Sequence, residues 1–72
     1  MDQETFNLSI RKFLKMVGIN SQREIEQAVA RARSENRIKG DENFPAHVTL
    51  RVEGLGIDVR FDGEIRLERE ER

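Results

Sequence analysis

Apolar residues near the start of the chain fall at Phe6, Ile10, Phe13, Leu14 and Val17, and spacings of four, three, one and three trace one face of an α-helix. Gly18 follows directly, and glycine is the residue that most readily takes the left-handed conformation that ends helices. The pattern therefore predicts a first helix over about 4–17, with Asp2 and Glu4 placed where its dipole favours negative charge. Ser21-Gln22-Arg23-Glu24 then has the form of a capping box, in which the serine hydroxyl and the glutamate carboxylate satisfy each other's backbone N–H groups. It predicts a second helix over about 22–36, carrying Ile25, Ala28, Val29 and Ala32 on a narrow, alanine-rich stripe. Only Gly18, Ile19 and Asn20 separate the two, so they would form a tight antiparallel pair.

From Lys39 to Pro45 the turn-rich run Gly40-Asp41-Glu42-Asn43 reads as a loop. The period then changes to two. Ala46, Val48, Leu50 and Val52 alternate with polar residues, and after Gly54-Leu55 the alternation resumes through Ile57, Val59, Phe61, Gly63, Ile65 and Leu67. Two turns compete. A two-residue turn at Asp62-Gly63 pairs Arg60 with Ile65 and mixes charged and apolar groups on each face. A turn centred on Gly54-Leu55 with glycine first, type II′, pairs Val52 with Ile57, Leu50 with Val59 and Val48 with Phe61. It also sets Arg51 opposite Asp58 and His47 opposite Asp62 on the other face, where opposite charges across strands contribute roughly 0.2–1 kcal/mol each. The second register satisfies every position and predicts strands over about 46–53 and 56–67, with a bulge allowed near Gly63.

The expected fold class is α+β: two N-terminal helices packed on a C-terminal antiparallel β-hairpin. One domain would span 1–67, and the charged stretch 68–72 would be a disordered tail. The expected core holds Phe6, Ile10, Phe13, Leu14, Val17, Ile25 and Val29 from the helices. The hairpin adds Val48, Leu50, Val52, Ile57, Val59 and Phe61. With 72 residues, four Phe and no Trp or Tyr, that core is thin, because a chain this short buries only about 60% of its unfolded surface.

Composition narrows the function classes. There is no Cys and one His, too few ligands for the usual four-coordinate zinc site, and no metal or cofactor is expected. No apolar run reaches the roughly 18 residues of a membrane span, and the acidic Met1–Thr5 segment has no secretory character, so the expected address is cytoplasmic. Ser9, Ser21 and His47 lack the partners that nucleophilic or acid–base chemistry needs, and the glycines fit no phosphate-cradling spacing. The expectation is a protein that is not an enzyme.

Charge is uneven. Residues 1–40 carry eight Lys/Arg against five Asp/Glu, a net +3, and residues 41–72 carry five Arg against nine acids, a net −4. With the short turn at Gly18-Ile19-Asn20, the basic half allows a helix-turn-helix reading in which Gln22, Arg23, Gln27 and Arg31 touch nucleic acid. The leading expectation is instead a protein-contact module, binding a protein partner or a second copy. Its contact residues would be Leu8, Met16, Ile65 and Leu67, apolar groups left over from the core.

One resemblance adds to this. The run Phe6-Asn7-Leu8-Ser9-Ile10-Arg11-Lys12-Phe13-Leu14-Lys15, then Val17-Gly18 and Ser21-Gln22-Arg23-Glu24-Ile25-Glu26, resembles a small family of short bacterial proteins of unknown function. The likeness continues through Pro45-Ala46 and Asp62-Gly63-Glu64-Ile65 and so covers essentially the whole chain. It implies a bacterial, cytoplasmic, stand-alone unit and transfers no active site.

Overall fold

The computed structural model describes residues 1–69. In chain order it contains helix α1 (Gln3–Ser34), strand β1 (Asn43–Val52), a single 3₁₀ turn (Glu53–Leu55) and strand β2 (Ile57–Arg66). The class is α+β, but one long helix stands where two were expected. The chain divides into two compact units, Met1–Arg37 and Ile38–Arg72, the first helical and the second built on the hairpin.

Gly18 does not end the helix. A glycine inside a helix costs about 1 kcal/mol relative to alanine, and here a longer pattern outweighs it. Phe6, Ile10, Leu14, Val17, Ser21, Ile25, Ala28 and Ala32 follow one another at steps of four, four and three, which keeps them in phase on one face straight through Gly18. The side-chain amide of Asn20 donates to the Met16 carbonyl at 2.9 Å, which bonds the helix to itself across the expected turn. Ser21 and Glu24 consequently lie inside the helix, and the capping box does not form.

The true N-cap is Asp2, in extended conformation, whose carboxylate accepts from Glu4 N at 3.0 Å and Thr5 N at 3.3 Å. The Thr5 hydroxyl donates to the other carboxylate oxygen at 2.7 Å. These bonds favour the ionised form and hold the Asp2 carboxyl below its ordinary pKa, the Thr5 hydroxyl being the largest cause. At the other end, Asn36 adopts φ 57, the left-handed conformation that asparagine tolerates better than most residues. Its N–H donates to Arg33 O at 3.1 Å, and the Arg37 N–H reaches Ala32 O at 2.9 Å. Together these make a Schellman closure with asparagine in the usual glycine position.

The second unit opens with a loop closed on one side chain. The Glu42 carboxylate accepts from the backbone N–H groups of Lys39 (2.8 Å), Gly40 (2.9 Å) and Asp41 (3.1 Å). These donors, Lys39 first, hold its carboxyl below the ordinary glutamate range. The ladder that follows has the register read from parity, including Val52 with Ile57, Leu50 with Val59 and Val48 with Phe61. It starts earlier than expected, at Asn43, with Pro45 opposite Glu64 inside β1. Both strands of a two-stranded sheet are edges, where proline's missing N–H is tolerated. Gly63 pairs regularly with Ala46 and no bulge is needed. Beyond the ladder Leu67 N donates to Glu42 O at 3.2 Å.

The turn differs from the type II′ expectation. Glu53–Leu55 form the 3₁₀ turn, and the left-handed residue is Gly56, at φ 67, whose N–H donates to Glu53 O at 3.1 Å. Register was preserved because residues 53–56 occupy the same four-residue gap either way.

Neither unit taken by itself encloses a core. No described residue is buried, and Phe13 and Phe61 are 47% and 57% exposed. The reason follows from the helix: a sandwich of two short helices could enclose the stripe, whereas a single rod has no second helix to lay against it. The predicted disorder of 68–72 falls, for residues 70–72, outside the described residues.

Candidate interaction surface

Two apolar faces carry the molecule's recognisable chemistry. On α1 the stripe from Phe6 to Ala32 occupies about 120° of the circumference at 100° per residue and runs for roughly 39 Å along the axis at 1.5 Å per residue. Its N-terminal half is bulky, with Phe6, Ile10, Phe13, Leu14 and Val17. Its C-terminal half is small, with Ser21, Ala28 and Ala32 around Ile25, and it is interrupted by Glu24, which falls at the azimuth of Phe6. Val17, Ser21, Val29 and Ala32 are half-buried, while Phe6, Ile10, Phe13, Leu14 and Ile25 are exposed.

On the hairpin, alternation puts Phe44, Ala46, Val48, Leu50 and Val52 on the same face as Ile57, Val59, Phe61 and Ile65. The opposite face is charged. Arg51 meets Asp58 across the strands at 3.5 Å, and Arg60 and Arg66 pair along β2 with Asp62 (2.9 Å) and Glu64 (2.7 Å). His47 does face Asp62 in register, but the ion pair of that aspartate is with Arg60. Exposed pairs like these contribute about 0–1 kcal/mol each. Their effect is to mark this face as the wet one.

The expected contact residues are distributed between the units. Leu8 and Met16 are exposed on α1, off the stripe and about 80° apart around the helix. Ile65 and Leu67 are half-buried in the hairpin unit, Ile65 opposite Phe44. Of the residues considered for nucleic acid, Arg23, Gln27 and Arg31 form an i, i+4, i+8 ridge along α1, and Gln22 lies off it, donating to Glu26 at 3.4 Å. The turn that would have aimed a recognition helix is itself helix, so the helix-turn-helix geometry is not present. What the sequence reading missed was the continuity of the stripe through Gly18. The unbroken four-four-three rhythm was the available signal.

Other chemistry is sparse. Among the described residues no group of three or more His, Cys, Asp or Glu could hold a metal ion. The Ser9 hydroxyl donates to the Phe6 carbonyl at 2.8 Å, an ordinary helix contact. A shallow hollow of about 200 Å³ in the hairpin unit is lined by Asp41, Asn43, Arg66, Glu68 and Arg69, a polar wall unlike the mostly apolar lining of small-molecule sites. Among the described residues no helix is long and apolar enough to cross a membrane.

A long amphipathic helix followed by an amphipathic hairpin, each with one apolar face, defines a small α+β protein. Comparison with known families matches residues 1–68 to a family of unknown function, DUF6494. The chain belongs to that family, as its N-terminal sequence suggested. Comparisons with curated proteins and with solved structures give no match.

Proposed function

We propose that this chain is a non-enzymatic interaction module whose apolar helix stripe and hairpin face are covered by protein. One observation carries the reading: no described residue is buried, while residues as large as Phe6, Phe13, Leu14 and Phe61 remain exposed. Soluble monomers rarely expose contiguous apolar patches beyond a few hundred Å², and larger ones mark contact surfaces. The wet hairpin face with its ion pairs and the apolar face opposite give the module one side for water and one for a partner. The scarcity of nucleophiles, bases and metal ligands supports the non-enzymatic part, and the bacterial, cytoplasmic setting expected from the sequence belongs to the same proposal.

The test is site-specific photo-cross-linking in the native cells, with a benzophenone side chain at Phe13 or Phe61 and, as control, at Arg51 on the wet face. Discrete adducts from the first two positions and none from Arg51 are expected. Equal labelling from all three positions, or none from any, refutes the proposal.

A further inference from the structure

We infer that the outer edge of β2 pairs with the same edge of a second copy of this chain, antiparallel about a two-fold axis at Asp62. The product is a four-stranded sheet with both β1 strands outside. The inference rests on the protein-contact reading above and deepens it by naming a partner and the surface that meets it.

The sheet itself supplies the first argument. The hairpin unit holds two strands only, and a two-stranded hairpin by itself is marginally stable in water, a weakness that added strands remedy.

Backbone parity shows which groups the edge offers. Leu67 N donates to Glu42 O at 3.2 Å, which continues the ladder one pair beyond Asn43 and Arg66. Hydrogen-bonded and non-hydrogen-bonded pairs alternate along an antiparallel ladder, so Ile57, Val59, Phe61, Gly63 and Ile65 bond to β1. Asp58, Arg60, Asp62 and Glu64 turn their N–H and C=O groups the other way, toward the outer edge. On β1 the outward residues include Pro45, opposite Glu64, which has no N–H to offer. The edge without proline is that of β2.

Charge selects the register. With the axis at Asp62, Arg60 of each chain faces Glu64 of the other. Asp58 falls opposite Arg66, which bonds Glu64 on its own strand at 2.7 Å. On the apolar face Val59 meets Ile65, and the Phe61 ring lies against Gly63, an aromatic residue covering a glycine across the strands. A Cβ built on Gly63 meets no atom within 4 Å, so the space for the ring is there. The one like pair is Asp62 with itself on the axis, and each copy is held by Arg60 of its own strand at 2.9 Å. Moving the axis to Phe61 sets Asp58 against Glu64, and moving it to Gly63 sets Arg60 against Arg66 and Asp62 against Glu64. Parallel pairing in register sets every charge on itself. A two-fold contact is self-complementary and closes at two copies, and Pro45 then stands on both outer edges.

The chain has no cysteine, so single-cysteine variants report the register directly. Asp62→Cys places two thiols across the axis, about 5.5 Å apart at Cα in a hydrogen-bonded pair, within reach of a disulfide. Asp58→Cys places them about 26 Å apart along the strands. Mild oxidation should therefore link the first variant into a dimer much faster than the second. Sedimentation equilibrium on the unaltered full chain, across about 10–500 μM to cover mid-affinity association, should give twice the chain mass. Asp62→Pro removes an outward N–H and no bond to β1, so it should give a monomer that keeps the β1–β2 contacts by NMR. Arg60→Glu sets like charges opposite each other at two symmetric places and should weaken association about tenfold, and adding Glu64→Arg should restore it. Monomer mass for the unaltered chain across the range, or disulfide formation at 58 as fast as at 62, overturns the inference. So does a dimer that survives Asp62→Pro with its hairpin intact. Should that variant unfold, the charge exchange decides, and association indifferent to it overturns the inference equally. Adducts from Phe13 and Phe61 at masses other than twice the chain, with a monomer in the centrifuge, refute the self-pairing and leave the protein-contact reading standing. Absence of any adduct from either position removes that reading itself.

Discussion

Replacing Gly18 by alanine has opposite consequences in the two geometries between which the sequence is ambiguous. At a helix stop, Gly18 would hold the left-handed conformation, and a Cβ there costs about 1–2 kcal/mol. In α1 it lies in the interior of a continuous helix, where alanine is favoured over glycine by about 0.8–1.0 kcal/mol. Nothing offsets that gain, since a Cβ built on Gly18 meets no atom within 4 Å. Gly18→Ala should therefore stabilise the protein by about 0.8–1.0 kcal/mol, or raise Tm by about 4–8 °C for a chain of this size. Urea and thermal unfolding followed by circular dichroism at 222 nm measure it. The comparison belongs at one fixed protein concentration, since self-association would make Tm depend on it. A loss of stability would refute the continuous helix, because only a left-handed backbone at Gly18 reverses the sign.

The turn and caps give further tests. Gly56→Ala should destabilise the hairpin by about 1–2 kcal/mol through backbone strain alone, because its φ is 67 and no atom crowds it, whereas Gly54→Ala at an ordinary φ should be nearly neutral. Equal effects in urea melts would contradict the Gly56-centred turn. Asn36→Val should cost about 1–2 kcal/mol and Asn36→Gly should not, since the position is left-handed; amide exchange near Ala32 and Arg33 reads the fraying. Glu42 has a folded pKa below its ordinary value, so the unfolded chain takes up the proton first as pH falls. Its stabilisation is then full above the ordinary glutamate range and is lost on acidification through the lower folded value. Glu42→Gln should remove that acid-dependent step from the hairpin's NMR-detected unfolding, and an unchanged pH profile would count against the carboxylate as the loop's clamp.

The hairpin was legible because parity is unforgiving. Shifting register by one residue moves Val48, Leu50 and Phe61 to the wet face, so only one pairing satisfies both strands. The turn type was less legible: two glycines, Gly54 and Gly56, flank Leu55, and spacing alone does not say which takes the left-handed backbone. The helix was misread for a different reason. Gly18 and the Ser21–Glu24 box are local stop and start signals worth about 1 kcal/mol each, whereas the stripe that contradicts them is spread over the whole of α1. Local signals also compete poorly once Asn20 bonds back to Met16. Leu8 and Met16 are exposed on α1, and Phe6, Phe13 and Phe61, which periodicity alone assigns to the core, are exposed too.

The two-stranded ladder has one more consequence, for how the protein ages in a crowded solution. Both strands leave a row of backbone N–H and C=O groups unpaired, the kind of border on which fibrils grow by adding identical strands in register. Here such growth would stack Asp58 on Asp58, Arg60 on Arg60, Asp62 on Asp62 and so on, each contact between like charges about 4.8 Å apart. On β1, Pro45 interrupts the growing row, since it has no N–H to give. The same alternation that keeps one hairpin face wet therefore guards its borders against templating.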